Sequence, residues 1–210
     1  MDIQFYGANC IKISSNKATI VVDDNLQDLG RNSPIAKSGD IVIGTMSTIK
    51  SPDSPAIFID KPGEYEVSDC SITGVAVRAH IDEPKQRSAV AYRIEINDIR
   101  VAVVGHIHPD IDDATLESIG VVDVLILPVG GGGFTLDPVG AHKVIAAISP
   151  KVIIPTHYAD SSLSYEVAQT TLDEALKTLG EVSETTTKLK LKSTDLPEIA
   201  KVVVIEPQVN

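Results

Sequence analysis

The sequence predicts one α/β domain spanning residues 1–210, with two sheets at its core and helices outside. Three observations carry this reading. Residues 3–96 read as short strands joined by turns, and the second half alternates strands with helices. The chain, at 210 residues with 43% hydrophobic and 22% charged residues, is also long enough for one sizeable core.

Taken in order, IQFY, CIKI and TIVVDD are the first strands, with Ser14–Asn16 turning the second into the third. Asn25–Gly39 is a polar loop. Asp40–Thr45 is a buried strand, Met46–Pro55 a loop rich in Ser and Pro, AIFID a strand and KPGEYEV a turn. Cys70–His80 alternates loosely. Ser88–Ile96 and Ile99–Val104 form a hairpin across Asn97-Asp98. Asp112 or Asp113 caps a short helix that turns Leu116 and Ile119 inward and closes at Gly120. Asp123–Pro128 is a buried strand running into Val129 and four glycines. Asp137 caps a helix with Pro138 at its first position and Ala141, Val144, Ile145 and Ile148 on one stripe; Pro150 stops it. Val152–Pro155 is a strand. Thr171 and Glu174 form a capping box for a helix closed by Gly180, TKLKLK is an amphipathic strand, and VVVIE is a buried one.

Composition narrows the function. A net charge of −11 lacks the clustered cations that neutralise a phosphate backbone, so nucleic acid is not an expected partner. No apolar stretch is long enough to span a membrane, and the start MDIQFYGANC reads as a strand, not a signal peptide. Cys10 and Cys70 have no metal-binding or disulfide spacing, which makes a reducing cytoplasm the expected location.

The organising stretch is Arg100–Gly133, a strand, a histidine-bearing loop, a helix, a second strand and a glycine turn. Gly105 ends its first strand and delivers His106 and His108. His80 and His157 likewise follow predicted strands, so these imidazoles are expected to share a cleft. Three neutral imidazoles and a water are a usual catalytic zinc arrangement. His142 lies within a helical pattern, on a solvated or half-buried face. Gly130–Gly133 lacks the lysine and following helix of a phosphate-binding loop and reads as a structural turn. Cys10 reads as a buried small hydrophobe. Asp23 and Asp24 either orient a histidine or cap the following loop.

Several stretches together resemble the metallo-β-lactamase superfamily, and within it the small metal-dependent hydrolases similar to L-ascorbate-6-phosphate lactonase. They are Gly7–Ile13, Ile20–Asp23, Asp40–Thr45, Pro62–Val67, Arg78–His80, Val103–Gly105, Asp123–Gly131 and Ile154–Tyr158. The resemblance implies a four-layer αββα sandwich with its site at the strand ends between the sheets. It implies substrate contacts from loops such as Asn25–Gly39 and Ile81–Arg87, and self-association as a homo-oligomer. His80 and His157 stand where the family has two of its metal ligands.

The departures are as specific as the matches. Where the family has H-x-H-x-D-H, this chain has Met46-Ser47-Thr48-Ile49-Lys50-Ser51. His106 replaces a metal-bridging aspartate, and Gly7-Ala8 replaces Gly-His. Both lost carboxylates would have balanced metal charge. The changes therefore point away from a dinuclear centre and leave three readings. In the first, His80, His106 and His157 hold a single Zn²⁺, with His108 as proton shuttle or fourth ligand, for hydrolysis of a lactone, phosphoester or similar substrate. In the second, no metal is bound, the cleft takes a small molecule or serves assembly without turnover, and Lys50 pairs with Asp23 or Asp24 in place of a metal charge. The third is metal-free acid–base chemistry by a histidine pair with Lys50 as electrophile.

Overall fold

In the computed structural model, which describes residues 1–51 and 53–208, the apolar runs of the first part form a six-stranded sheet. Pro52, within the loop expected at Met46–Pro55, lies outside the described residues. Strands β1 (Asp2–Gly7), β2 (Cys10–Ser14) and β3 (Thr19–Val22) are an antiparallel meander, and β4 (Ile41–Ile43) and β5 (Ile57–Ile59) continue it in parallel. β6 (Gly63–Val67), β7 (Cys70–Val77), β8 (Ala89–Ile96) and β9 (Ile99–Val103) form antiparallel neighbours in a second sheet. That sheet continues in parallel through β10 (Val124–Pro128) and β11 (Val152–Thr156). The helices are α1 (Asp113–Ile119), α2 (Pro138–Ile148) and α3 (Leu172–Leu179). β12 (Val182–Thr186) and β14 (Lys201–Ile205) complete the eight-stranded sheet, and the short β13 (Leu189–Lys190) returns to β1.

Period-two alternation explains how the layers stack. Phe5, Ile11, Ile13, Ile20, Val22, Ile41 and Ile43 face the second sheet and join Ile72, Ile94, Val101, Val103 and Ile126 in one core. The intervening Tyr6, Cys10, Val21 and Val42 face outward, and turn-rich chain covers them through Leu26, Ile35, Ala36 and Leu163. β10, β11 and β14, being buried on both faces, are continuous apolar runs, as parallel strands beneath helices require. α1 packs on β7 and β8, and α2 on β10 and α3. These are the layers of the αββα sandwich; over the smaller sheet the outer layer is turns, not regular helix.

The expected caps are present. Asp112 and Asp137 accept from Thr115 N and Gly140 N, and Thr171 and Glu174 close their box. Asn97 and Asp98 both adopt left-handed φ, the geometry of a tight hairpin turn, and so do Ser68 and Asp69. That second pair corrects the expected turn over KPGEYEV: Gly63–Val67 is β6, paired residue for residue with β7. TKLKLK is also corrected. Only Leu189–Lys190 pairs with another strand there, whereas the polar segment Val182–Thr186 is an edge strand on β14. Pairing satisfies its backbone without requiring an apolar face.

At the end where β9, β10 and β11 begin, Asp123 is 1% exposed and gathers three strands. It accepts from Arg100 N at 3.0 Å, Nε at 2.8 Å and Nη2 at 3.0 Å, with Lys151 Nζ at 3.2 Å. Asp123→Ala is expected to destabilise the fold by about 2 kcal/mol in urea melts, with ligand binding at the opposite end unchanged.

Candidate functional site

β1, β3, β4, β7, β9, β10 and β11 all run toward the opposite end, where the two sheets are tied together. Val90 N donates to Thr45 O at 2.9 Å, and His157 N donates to Ala8 O at 2.8 Å. Loops leaving these strand ends enclose a cleft of about 420 Å³, within the range of small-molecule sites.

Gly105 makes the closest junction there. Its φ is +51°, and a Cβ would stand 2.2 Å from Thr45 Oγ1, so β9 meets β4 with no room for a side chain. Thr45 is fixed in turn by the buried Asp23, which accepts from Thr45 N at 2.7 Å and Oγ1 at 2.6 Å. Burial raises the Asp23 carboxyl to about 6 against these bonds. Its protonated form is therefore favoured in the fold, and stability is lost as pH rises through about 6. Relative to Asp23→Asn, which tolerates the left-handed φ of +49°, the wild type is expected to lose about 3 kcal/mol between pH 3.5 and pH 8. Urea melts at the two pH values measure this difference.

His106 follows Gly105, and His106 O accepts from His80 N at 2.7 Å. The His106 ring lies 5.7 Å from that of His157, nearly perpendicular to it. Burial, followed by the neighbouring His157 and His80, pushes the His106 imidazole down to about 3; burial also lowers His80 and His157. His157 has a left-handed φ of +52°, which ends β11 and separates its imidazole from the buried Tyr158. Gly130 allows this turn, since a Cβ there would stand 1.9 Å from His157 O. Gly131, Gly132 and Gly133 take left-handed φ, so the glycine run is a turn in the structure.

Gln169 sets the His157 tautomer. Its amide nitrogen donates to Val167 O at 3.0 Å, so Oε1 is the atom 3.1 Å from His157 Nδ1. Nδ1 accordingly carries the proton and Nε2 is an acceptor. The Nδ1 atoms of His80 and His106 are buried, with no partner among the described residues.

The expected site is divided. His106 and His157 line the cleft, and His80 does not. His108 instead lines a separate small depression with Arg78, its ring 5.9 Å from that of His80. Its Nδ1 accepts from Asp110 N at 3.0 Å and lies 3.4 Å from Arg78 Nη1. Burial and Arg78 lower its pKa. Lys50 is exposed and lines another depression with Asp24, Asp28 and Asp53, so it is not beside the imidazoles. Its expected pairing with Asp23 or Asp24 is corrected: among the described residues it makes no ion pair with either. Asp23 is taken up by Thr45, and Asp24 accepts from Ile35 N and Ala36 N at 2.7 Å each. Neither aspartate orients a histidine. Cys10 is buried and its thiol is raised by burial, consistent with a packing residue; His142 is exposed.

Asn25, Asp28, Leu29 and Ile81 contribute to the cleft from the two loops the resemblance pointed to. Phe134 and the segment Ser164–Gln169 were not anticipated; no spacing or motif marks them, because they reach the histidines only through tertiary packing.

A two-sheet sandwich with histidines at its joined strand ends defines a class of metallohydrolase-fold proteins. The chain belongs to the β-lactamase superfamily domain family, whose model matches residues 2–157. It is similar to a candidate Zn-dependent hydrolase of the metallo-β-lactamase superfamily from Thermotoga maritima. The two are 27% identical, with a TM-score of 0.75 and 98% of each chain covered. The fold is shared with a candidate metal-dependent hydrolase from Parabacteroides distasonis at 16% identity and TM-score 0.61, covering 98% of this chain and 93% of that one. It is shared too with a metallo hydrolase from Ignicoccus hospitalis at 15% identity and TM-score 0.59, covering 98% and 95%. No curated protein matches the chain.

The donors present do not fit the two-metal centre that the resemblance implies. Met46 and Thr48 line the cleft, and Lys50 points into a different depression. No group of three His, Cys, Asp or Glu side chains among the described residues is arranged to hold a metal ion. Among the described residues none of His80, His106 and His157 makes a hydrogen bond or ion pair with a carboxylate that would orient it, although the Asp137 carboxylate lies near enough to His80 to favour its charged form against burial. No helix among the described residues is long and apolar enough to cross a membrane.

Proposed function

We propose that this protein is a metallo-β-lactamase-fold member whose cleft binds a small organic molecule without a resident metal centre and without hydrolytic turnover. The observation that carries the reading is the chemistry of the cleft wall. A thioether, Met46, and a hydroxyl, Thr48, stand beside His106 and His157 where imidazole donors would be needed. Two divalent cations require several anionic and imidazole ligands at once, and this wall supplies neighbours suited to packing.

The residues then have simple roles. His157, held by Gln169 at Nδ1, presents an acceptor at Nε2, while His106 adds its ring to the cleft wall with its Nδ1 buried. Thr48 adds a hydroxyl, and Met46 adapts to an apolar surface.

A single Zn²⁺ on His80, His106 and His157 is the second reading, favoured by the unpartnered Nδ1 atoms of His80 and His106. Hydrolysis assays on lactones and phosphoesters, with zinc supplied, separate the two. The metal-free reading expects rates at the buffer background. Zinc-dependent turnover that disappears in His157→Ala would contradict it and establish the hydrolase.

A further inference from the structure

The character of the cleft indicates which small molecule it accepts. Its apolar wall includes Leu29, Met46, Tyr165 and Val167, and Ile81 and Phe134 carry this surface outward. Those last two are 60% and 45% exposed, large hydrophobic side chains left facing water beside a concave site. The charged side chains that line the cleft are Asp28 and Glu166, both exposed carboxylates; no Lys or Arg lines it among the described residues. Lys50 shares the neighbouring depression with Asp28, yet makes no ion pair among the described residues. Arg31 donates to Ser162 Oγ at 3.1 Å and does not line the cleft.

We propose that the cleft selects an uncharged or cationic organic molecule with an apolar body, and disfavours phosphorylated and carboxylated ones. This rests on the metal-free reading, because a bound divalent cation would reverse the local charge. The apolar body covers Ile81, Phe134 and Tyr165, and its polar head meets His106 and His157. An ammonium or hydroxyl head can donate to the His157 acceptor; an anionic head meets no Lys or Arg on the cleft wall among the described residues and faces two carboxylates of its own sign. Tyr165 stands with its ring 5.2 Å from that of His157, so a cationic head at the imidazoles also lies against an aromatic ring.

The test uses four probes with the same phenyl body on chelator-treated full-length protein at low ionic strength: 2-phenylethylamine, 2-phenylethanol, 3-phenylpropionate and 2-phenylethyl phosphate. NMR titrations follow the His106 and His157 ring signals. The amine and alcohol are expected to shift these signals and bind at least about tenfold more tightly than the two anions. In the double variant Asp28→Asn with Glu166→Gln, both at exposed positions, the amine should weaken toward the alcohol and the anions strengthen. Anions that bind as well as the amine, no probe binding at the cleft, or unchanged discrimination in the double variant would each overturn the inference. Repeating the titration after zinc loading and desalting isolates the underlying reading. Retained zinc with newly acquired anion binding would sink the metal-free reading, while the result on chelator-treated protein still decides the charge preference.

Discussion

Acidification from pH 7.5 to pH 4 is expected to destabilise the wild-type protein by about 3 kcal/mol relative to a His106→Gln variant. The His106 imidazole titrates near 6.5 when unfolded and at about 3 in the fold, because burial and two neighbouring imidazoles disfavour its cation. Its contribution is fully present above pH 6.5 and is lost as pH falls toward 3. At pH 4 the shortfall is about 2.5 pKa units, or about 3 kcal/mol, and it reaches about 5 kcal/mol below pH 3. Asp23 works in the opposite direction over nearly the same range, since its raised carboxyl favours the acidic side. The wild-type curve alone would therefore look shallow. Comparison with the variant cancels Asp23, which is present in both. Urea midpoints for the two proteins at half-unit pH steps measure the difference; parallel curves would show that His106 is not buried as neutral imidazole.

Gly105→Ala is expected to destabilise the fold by about 4 kcal/mol, from a left-handed φ and an overpacked junction acting together. The added Cβ would stand 2.2 Å from Thr45 Oγ1, which Asp23 holds, and 2.6 Å from Thr45 Cβ, so turning the hydroxyl away would not clear it. Relief would require β9 to move away from β4 and carry His106 with it. Thermal melts should therefore show the loss of stability, and NMR of the remaining folded protein should show displaced His106 and His157 signals. Thr45→Ala in the same background is expected to recover only part of the stability, since it removes Oγ1 and Cγ2 but leaves the Thr45 Cβ at 2.6 Å. A Gly105→Ala protein as stable as wild type would contradict the junction described here.

Most of the framework was legible because its signals are local. β-branched runs mark β3, β4, β10, β11 and β14, and Asp112, Asp137 and Thr171 announce their helices through cap chemistry. β6 and β12 were missed because their pairing partners, β7 and β14, supply what their own composition does not. The site was partly legible for the same reason. His80, His106 and His157 follow strands whose direction fixes where they end. Lys50 could not be placed because a loop position after β4 says nothing about which side of the loop its long side chain takes. Gln169 and Phe134 come from loops with no periodic pattern, so only the packed fold shows that they reach the cleft.

The most direct test of the central claim is elemental analysis of untagged protein after zinc loading and desalting. A companion variant would restore the ligand set: Met46→His, Thr48→His, Lys50→Asp, Ser51→His and His106→Asp together. The wild type is expected to retain no zinc and the companion to retain it, because ligand chemistry and not the fold limits binding. About one equivalent retained by the wild type, and lost in His157→Ala, would contradict the metal-free cleft and assign His80, His106 and His157 to a working zinc site.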